Sequence, residues 1–117
     1  MSHAQTVLVP NHIAVVTGGA SGIGFAAARA FAGLGMKVAI ADRDTDGLKA
    51  AGQVLATLVG AENVLALPTD VGRREDIVAL YEQVIARFGA VHLLMNNAGM
   101  QPGSQMFGPH ETWERIM

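Results

Sequence analysis

The sequence predicts an α/β fold in which a parallel sheet carries helices on both faces. Three observations point there. Short apolar runs recur without polar alternation, as strands buried on both faces require. Stretches with helical apolar spacing separate those runs, and this alternation argues for right-handed strand-helix-strand units. The composition agrees: half of the 117 residues are hydrophobic and only 15% are charged, against roughly 25% charged in an ordinary soluble domain.

The elements follow in order. Residues 1–11 read as a lead-in. Ile13-Ala14-Val15-Val16 is the first strand, running into Thr17-Gly18. Ile23, Ala27, Ala30, Phe31 and Leu34 recur at helical spacing, with Gly35 as the stop. Val38-Ala39-Ile40-Ala41 forms a second strand ending at Asp42. Residues 45–59 carry a stripe of Leu48, Ala51, Leu55 and Leu58. Val64-Leu65-Ala66-Leu67 is a third strand, broken by Pro68. Ile77, Leu80, Tyr81, Val84, Ile85 and Phe88 make the clearest helical stripe, closed by Gly89. Val91 to Met95 is a fourth strand, with Asn96-Asn97-Ala98-Gly99 at its end. Residues 100–108 read as a loop, and Glu111 to Met117 as the first turns of another helix. There is no repeat, low-complexity tract or linker, so residues 1–117 read as one domain.

Composition narrows the function. The net charge is −2 and no basic run occurs, which argues against nucleic acid as a partner. With no cysteine, disulfides, thiol catalysis and cysteine-ligated metal are all set aside. The polar N-terminus lacks the regions of a signal peptide, and no apolar run reaches the roughly 18 residues of a membrane span. A soluble, cytoplasmic protein is expected. His3, His12, His92 and His110 show no metal-ligand spacing and read as surface or structural residues. Met100 and Met106 could lie near a substrate cleft, and Trp113 reads as a packing anchor.

The chemistry is carried by Thr17-Gly18-Gly19-Ala20-Ser21-Gly22-Ile23-Gly24. This cluster follows a predicted strand and opens a predicted helix, the placement of a dinucleotide site. A pyrophosphate must reach bare backbone N–H groups at a helix N-terminus, where the helix dipole is positive. Gly18 would permit the tight turn, Gly22 would leave room for phosphate or ribose, and Gly24 would let the helix pack close to the first strand. Asp42 lies eighteen residues beyond Gly24, near the roughly 20-residue spacing of the acid that binds the adenosine ribose. Its carboxylate would accept hydrogen bonds from both ribose hydroxyls. It would also repel the 2′-phosphate of NADP, by about 4 kcal/mol per unit charge at about 4 Å and an effective dielectric near 20. Arg43, next to it, could attract that phosphate or be a solvated surface charge. NAD is the expected cofactor, with NADP as the alternative.

At this point the chain resembles the short-chain dehydrogenase/reductase family. TGGASGIG matches that family's TGxxxGxG turn, Asn96-Asn97-Ala98-Gly99 its NNAG motif, and Asp70-Val71 its adenine-contacting pair. The likeness covers about residues 10–117. It implies a Rossmann-type sheet of four strands in the order 3-2-1-4, incomplete relative to the family. It implies that Ser21 and Ile23 line the phosphate and nicotinamide side of the turn. Asp70 would hydrogen-bond the adenine edge, or cap a helix N-terminus in the bland reading, and Val71 would contact the ring. Asn97, Ala98 and Gly99 would lie along the nicotinamide ribose, while Asn96 ties the fourth strand to its neighbours.

The activity implied is hydride transfer between the nicotinamide cofactor and an alcohol or carbonyl substrate. Assembly as a homo-oligomer, a tetramer or dimer, is implied for the complete protein. In this family a Tyr and a Lys in a YxxxK pattern, with a Ser and an Asn, perform acid–base catalysis. That set is absent from these 117 residues. The single tyrosine, Tyr81, is followed four positions later by Ile85 and reads as packing. The chain is therefore expected to bind cofactor and to be inactive alone. It would be a fragment of a protein about twice as long, or a natural short protein. A non-catalytic nucleotide-binding module and a purely structural α/β domain are the competing readings. The fourth strand is expected to leave an open apolar edge.

Overall fold

A computed structural model describes residues 8–97. The expected loop at 100–108, the helix from Glu111, and residues Ala98 and Gly99 lie outside them. Four strands, β1 (Ile13–Thr17), β2 (Lys37–Asp42), β3 (Val64–Pro68) and β4 (Leu93–Asn96), alternate with three helices, α1 (Gly22–Gly33), α2 (Thr45–Val59) and α3 (Arg74–Phe88). Every pairing is parallel, and the order is β3-β2-β1-β4, as the family resemblance implied.

Alternation along the central strands divides the core between two faces. Val16, Val38 and Ile40 join Ala28 and Ala32 of α1 and Leu48, Ala51 and Leu55 of α2. Ile13, Val15, Ala39 and Ala41 meet Leu80 and Val84 of α3. Helices thus cover both faces. All five residues of β1 are buried, as are Val38 to Ala41 of β2. The flanking strands β3 and β4 are less covered, so the uniform apolar run marks complete burial only at the centre.

Only part of the stripe predicted for α1 faces the core: Phe31 packs against it, partly buried. Ile23 is 69% exposed and Leu34 46%, whereas Gly24, Ala28 and Ala32 are buried. The cause is distance: this helix lies so close that only small side chains fit beneath it. A Cβ on Gly24 would collide with the Gly18 carbonyl oxygen and approach Asn97 Nδ2 to 2.9 Å. Gly24 therefore packs against the turn after β1. On α2, Leu48, Ala51 and Leu55 are buried as predicted, but Leu58 is exposed.

The fourth strand starts at Leu93, not Val91, because His92 does another job. Its backbone N–H donates to the Ile13 carbonyl at 3.0 Å, and its Nδ1 accepts from the Ile13 N–H at 3.0 Å. The imidazole thus serves the first N–H of β1 where β4 has not yet begun. His12 stacks on it, with ring centroids 3.9 Å apart and planes 10° from parallel. Sequence spacing gave no sign of this pair.

Two expectations follow. Partial desolvation, and next the nearby charge of His12, lower the pKa of His92. Below about pH 6.5, the ordinary imidazole value, the unfolded chain takes up a proton that the folded chain resists. Stability is therefore full above that pH and falls as pH drops toward the lowered value. Protonation of Nδ1 also removes the acceptor for Ile13. In thermal melts of the full-length protein, His92→Gln should flatten the acid-side decline relative to wild type; superimposable pH profiles would exclude His92 as a contributor. Gly24→Ala should destabilise by about 1–3 kcal/mol through overpacking against backbone. Gly33→Ala, where an added Cβ meets nothing within 4 Å, should instead stabilise by up to about 1 kcal/mol through helix propensity. Urea denaturation of the two variants reads both signs.

Candidate nucleotide-binding site

The chain runs outward from β1 through β2 to β3, then crosses back to place β4 on the other side of β1. The chain leaves β1 toward β2 while β4 pairs on the opposite side of β1, so the strand order switches at the carboxyl ends of β1 and β4. Such switch points are where open α/β sheets bind ligands. The strand ends bring Thr17, Gly18, Asp42, Asp70, Asn96 and Asn97 to this side of the sheet.

The glycine-rich turn divides into two halves by hydrogen bonding. The N–H groups of Gly18 and Gly19 donate to the Ala41 carbonyl at 2.7 and 3.2 Å, and that of Ala20 donates to Asp42 Oδ2 at 3.1 Å. Three consecutive donors are thereby tied to the end of β2. The next four, on Ser21, Gly22, Ile23 and Gly24, have no partner among the described residues. Gly18 and Gly22 adopt φ of 68° and 61°, a region that favours glycine. A Cβ on Gly22 would meet nothing within 4 Å, so the space beside it is open. Gly19, which sequence reasoning assigned no role, is held by packing: a Cβ there would lie 2.8 Å from Ile40.

The electrostatics of α1 differ from those of its neighbours. Its N-cap, Ser21, makes no side-chain cap bond, and no acidic residue stands in its first turn. In α2 the Asp44 side chain accepts from the Gly47 N–H, with Asp46 alongside. In α3, Glu75 and Asp76 occupy the first turn. The first turn of α1 is thus the one with neither a side-chain cap nor an acid, and the carboxylate bonded nearest to it, that of Asp42, engages the Ala20 N–H ahead of the N-cap.

Asp42 is half-buried at the end of β2. Beyond its bond to Ala20, its Oδ1 accepts from the Asp44 N–H at 3.1 Å, and its carbonyl accepts from the Thr69 N–H at 2.9 Å. Arg43 is exposed and has no side-chain partner among the described residues. Asp70 does not cap α3, whose N-cap is Arg73. Its Oδ1 accepts from the Gly72 N–H at 2.9 Å, bending the segment that holds half-buried Val71, and its Oδ2 has no partner there.

The two asparagines knit β4 to β1. Asn96 Oδ1 accepts from the Thr17 hydroxyl at 2.6 Å. The Asn97 N–H donates to the Thr17 carbonyl at 3.2 Å, and Asn97 Nδ2 donates to the Gly18 carbonyl at 3.4 Å. Asn96 thus ties the strands together, as the resemblance implied. The contribution of Thr17 was not anticipated, since nothing local marks a threonine as the partner of a residue 79 positions away. Among the described residues no group of three His, Cys, Asp or Glu side chains could hold a metal ion.

Known proteins resemble this chain in sequence and fold. The family model described as short chain dehydrogenase matches residues 12–117. Tropinone reductase-like 1 of Erythroxylum coca is 38% identical over 91 residues, covering 78% of this chain and 32% of that protein. L-fucose dehydrogenase of Mus musculus is 38% identical over 100 residues, covering 86% of this chain and 34% of its own. The chain therefore spans about a third of the length of these relatives. Among solved structures, a short chain dehydrogenase/reductase from Burkholderia phymatum in complex with NAD is 36% identical, with a TM-score of 0.69 over 73% of this chain and 30% of that one. Glucose dehydrogenase of Caenorhabditis elegans is 30% identical, with a TM-score of 0.74 over 80% of this chain and 40% of that one. The strand order, the divided glycine turn and these matches agree: the chain belongs to the short-chain dehydrogenase/reductase family.

Proposed function

We propose that residues 1–117 form the dinucleotide-binding part of a nicotinamide-dependent oxidoreductase acting on a small alcohol or carbonyl substrate, with NAD as the cofactor. The observation that carries this reading is the run of four N–H groups, Ser21 to Gly24, without a partner among the described residues, at the uncapped end of α1. The open space beside Gly22 fits a group that approaches the backbone closely. A pyrophosphate is such a group, because each anionic oxygen can accept from an N–H while sitting in the positive field of the helix.

The remaining residues follow from position. Asp42 receives the adenosine ribose and disfavours a 2′-phosphate. Asp70, through its unpartnered Oδ2, and Val71 hold the adenine, while Ser21 and Ile23 flank the phosphates and nicotinamide. The exposure of Ile23 is then an apolar surface reserved for the cofactor. Asn97, Ala98 and Gly99 border the nicotinamide ribose. When bound, the nicotinamide supplies or accepts the hydride. Activity, a cytoplasmic location and assembly as a homo-oligomer, dimer or tetramer, are proposed for the full-length protein. Tyr81, half-buried on α3, has no catalytic part in this reading.

Exposed Arg43 supports NADP as a second reading, because a guanidinium beside the ribose site would pair with a 2′-phosphate.

Calorimetric titration of the full-length protein should show NAD binding more tightly than NADP; equal affinities would sink the selective role of Asp42. Binding of neither would leave a structural domain, and NAD binding without turnover of any alcohol in a broad panel would indicate a non-catalytic binding module. Gly22→Val, which fills the open space, should weaken NAD binding by about 10–100-fold, the scale of one or two charge-assisted hydrogen bonds. Unchanged affinity would refute the placement of the phosphates there.

A further inference from the structure

We infer that Asp42, beyond contacting the ribose, is the positioning residue that holds the glycine-rich turn in its phosphate-binding shape. The inference rests on the cofactor reading above. The carboxylate accepts from two backbone N–H groups belonging to different elements: Ala20 in the turn, 22 residues earlier, and Asp44 at the start of α2. The Ala20 bond is the last of the three that fasten the turn to β2. Directly after it come the four free donors of Ser21 to Gly24. Their direction depends on where the chain leaves the end of β2, and the Asp42 side chain sets that point.

The two duties are compatible. A carboxylate has about four acceptor sites, and the two backbone bonds use one on each oxygen. One remains on each for the two hydroxyls of a ribose, so the side chain meets the ribose already oriented. Asparagine cannot substitute. It has a single carbonyl oxygen, and its amide would set N–H against N–H at either Ala20 or Asp44. Loss of Asp42 should therefore harm binding of ligand parts that never touch it.

Nicotinamide mononucleotide tests this, since it carries a phosphate and lacks the adenosine ribose. In the full-length protein, Asp42→Ala and Asp42→Asn should each weaken its binding by about tenfold, the scale of one charge-assisted hydrogen bond. They should also speed hydrogen exchange at the Ala20 amide. Asp44→Ala serves as the control. It removes the side-chain cap of α2 without touching the turn, so it should lower the melting temperature and leave mononucleotide affinity unchanged. Loss of NAD affinity in the Asp42 variants with mononucleotide binding intact would confine Asp42 to the ribose and overturn the proposal. So would an equal mononucleotide loss in Asp44→Ala, which would reduce the effect to general stability. If wild type binds none of these nucleotides, the cofactor reading fails; the exchange rate at Ala20 still decides the anchoring, and an unchanged rate in Asp42→Ala overturns it.

Discussion

The close approach of α1 to the end of β1 is the constraint on which the site depends. Gly24 sits where any Cβ would collide with the Gly18 carbonyl, so the helix begins in contact with the turn that precedes it. That contact brings the N-terminus of α1 to the carboxyl end of the sheet, beside the switch in strand order between β1 and β4. It also dictates the small residues along the underside of the helix, Ala28 and Ala32, since larger ones would lift it away. Asn97 reaches the same Gly18 carbonyl, so the end of β4 is tied to the same point.

A helix N-terminus leaves backbone donors without intrahelical partners, and proteins usually satisfy them with a cap or with acids. The chain does so at α2 and α3 and not at α1. The difference is not a defect of sequence choice, because Ser21 is a good capping residue and its hydroxyl forms no cap bond. The donors before it are fully engaged by Ala41 and Asp42. The turn is hydrogen-bonded to β2 on one side and has open donors on the other, an arrangement that lowers the ordering cost a ligand would meet.

Much of the architecture was legible from the residues. Uniform apolar runs gave all four strands, and helical spacing gave the three described helices, because both patterns are local. Errors arose where the deciding neighbour is remote. On α1, Ile23 and Leu34 have core-like spacing but lie exposed, whereas Phe31 of the same stripe packs on the core, and only the closeness of helix to sheet separates them. The start of β4 was misplaced because His92 serves Ile13, 79 residues earlier. At the site, the glycine spacing and the position of Asp42 were legible as motifs. The bonds from Asp42 to Ala20 and from Asn96 to Thr17 were not, since no local pattern encodes a side chain reaching another strand's end.

The two ends of β1 show how one sheet serves two demands. At the carboxyl end, side chains bond to the turn and to neighbouring strands while four N–H groups stay open. At the amino end, the imidazole of His92 closes the ladder of β1 and its ring is stacked on His12. A neutral ring is needed there, because a protonated Nδ1 cannot accept from Ile13. The ladder is closed at the end away from the glycine-rich turn, while four backbone donors at the turn have no partner among the described residues. The five extended residues of β1 hold those two ends apart, so the His92 bond and the glycine-rich turn use different donors.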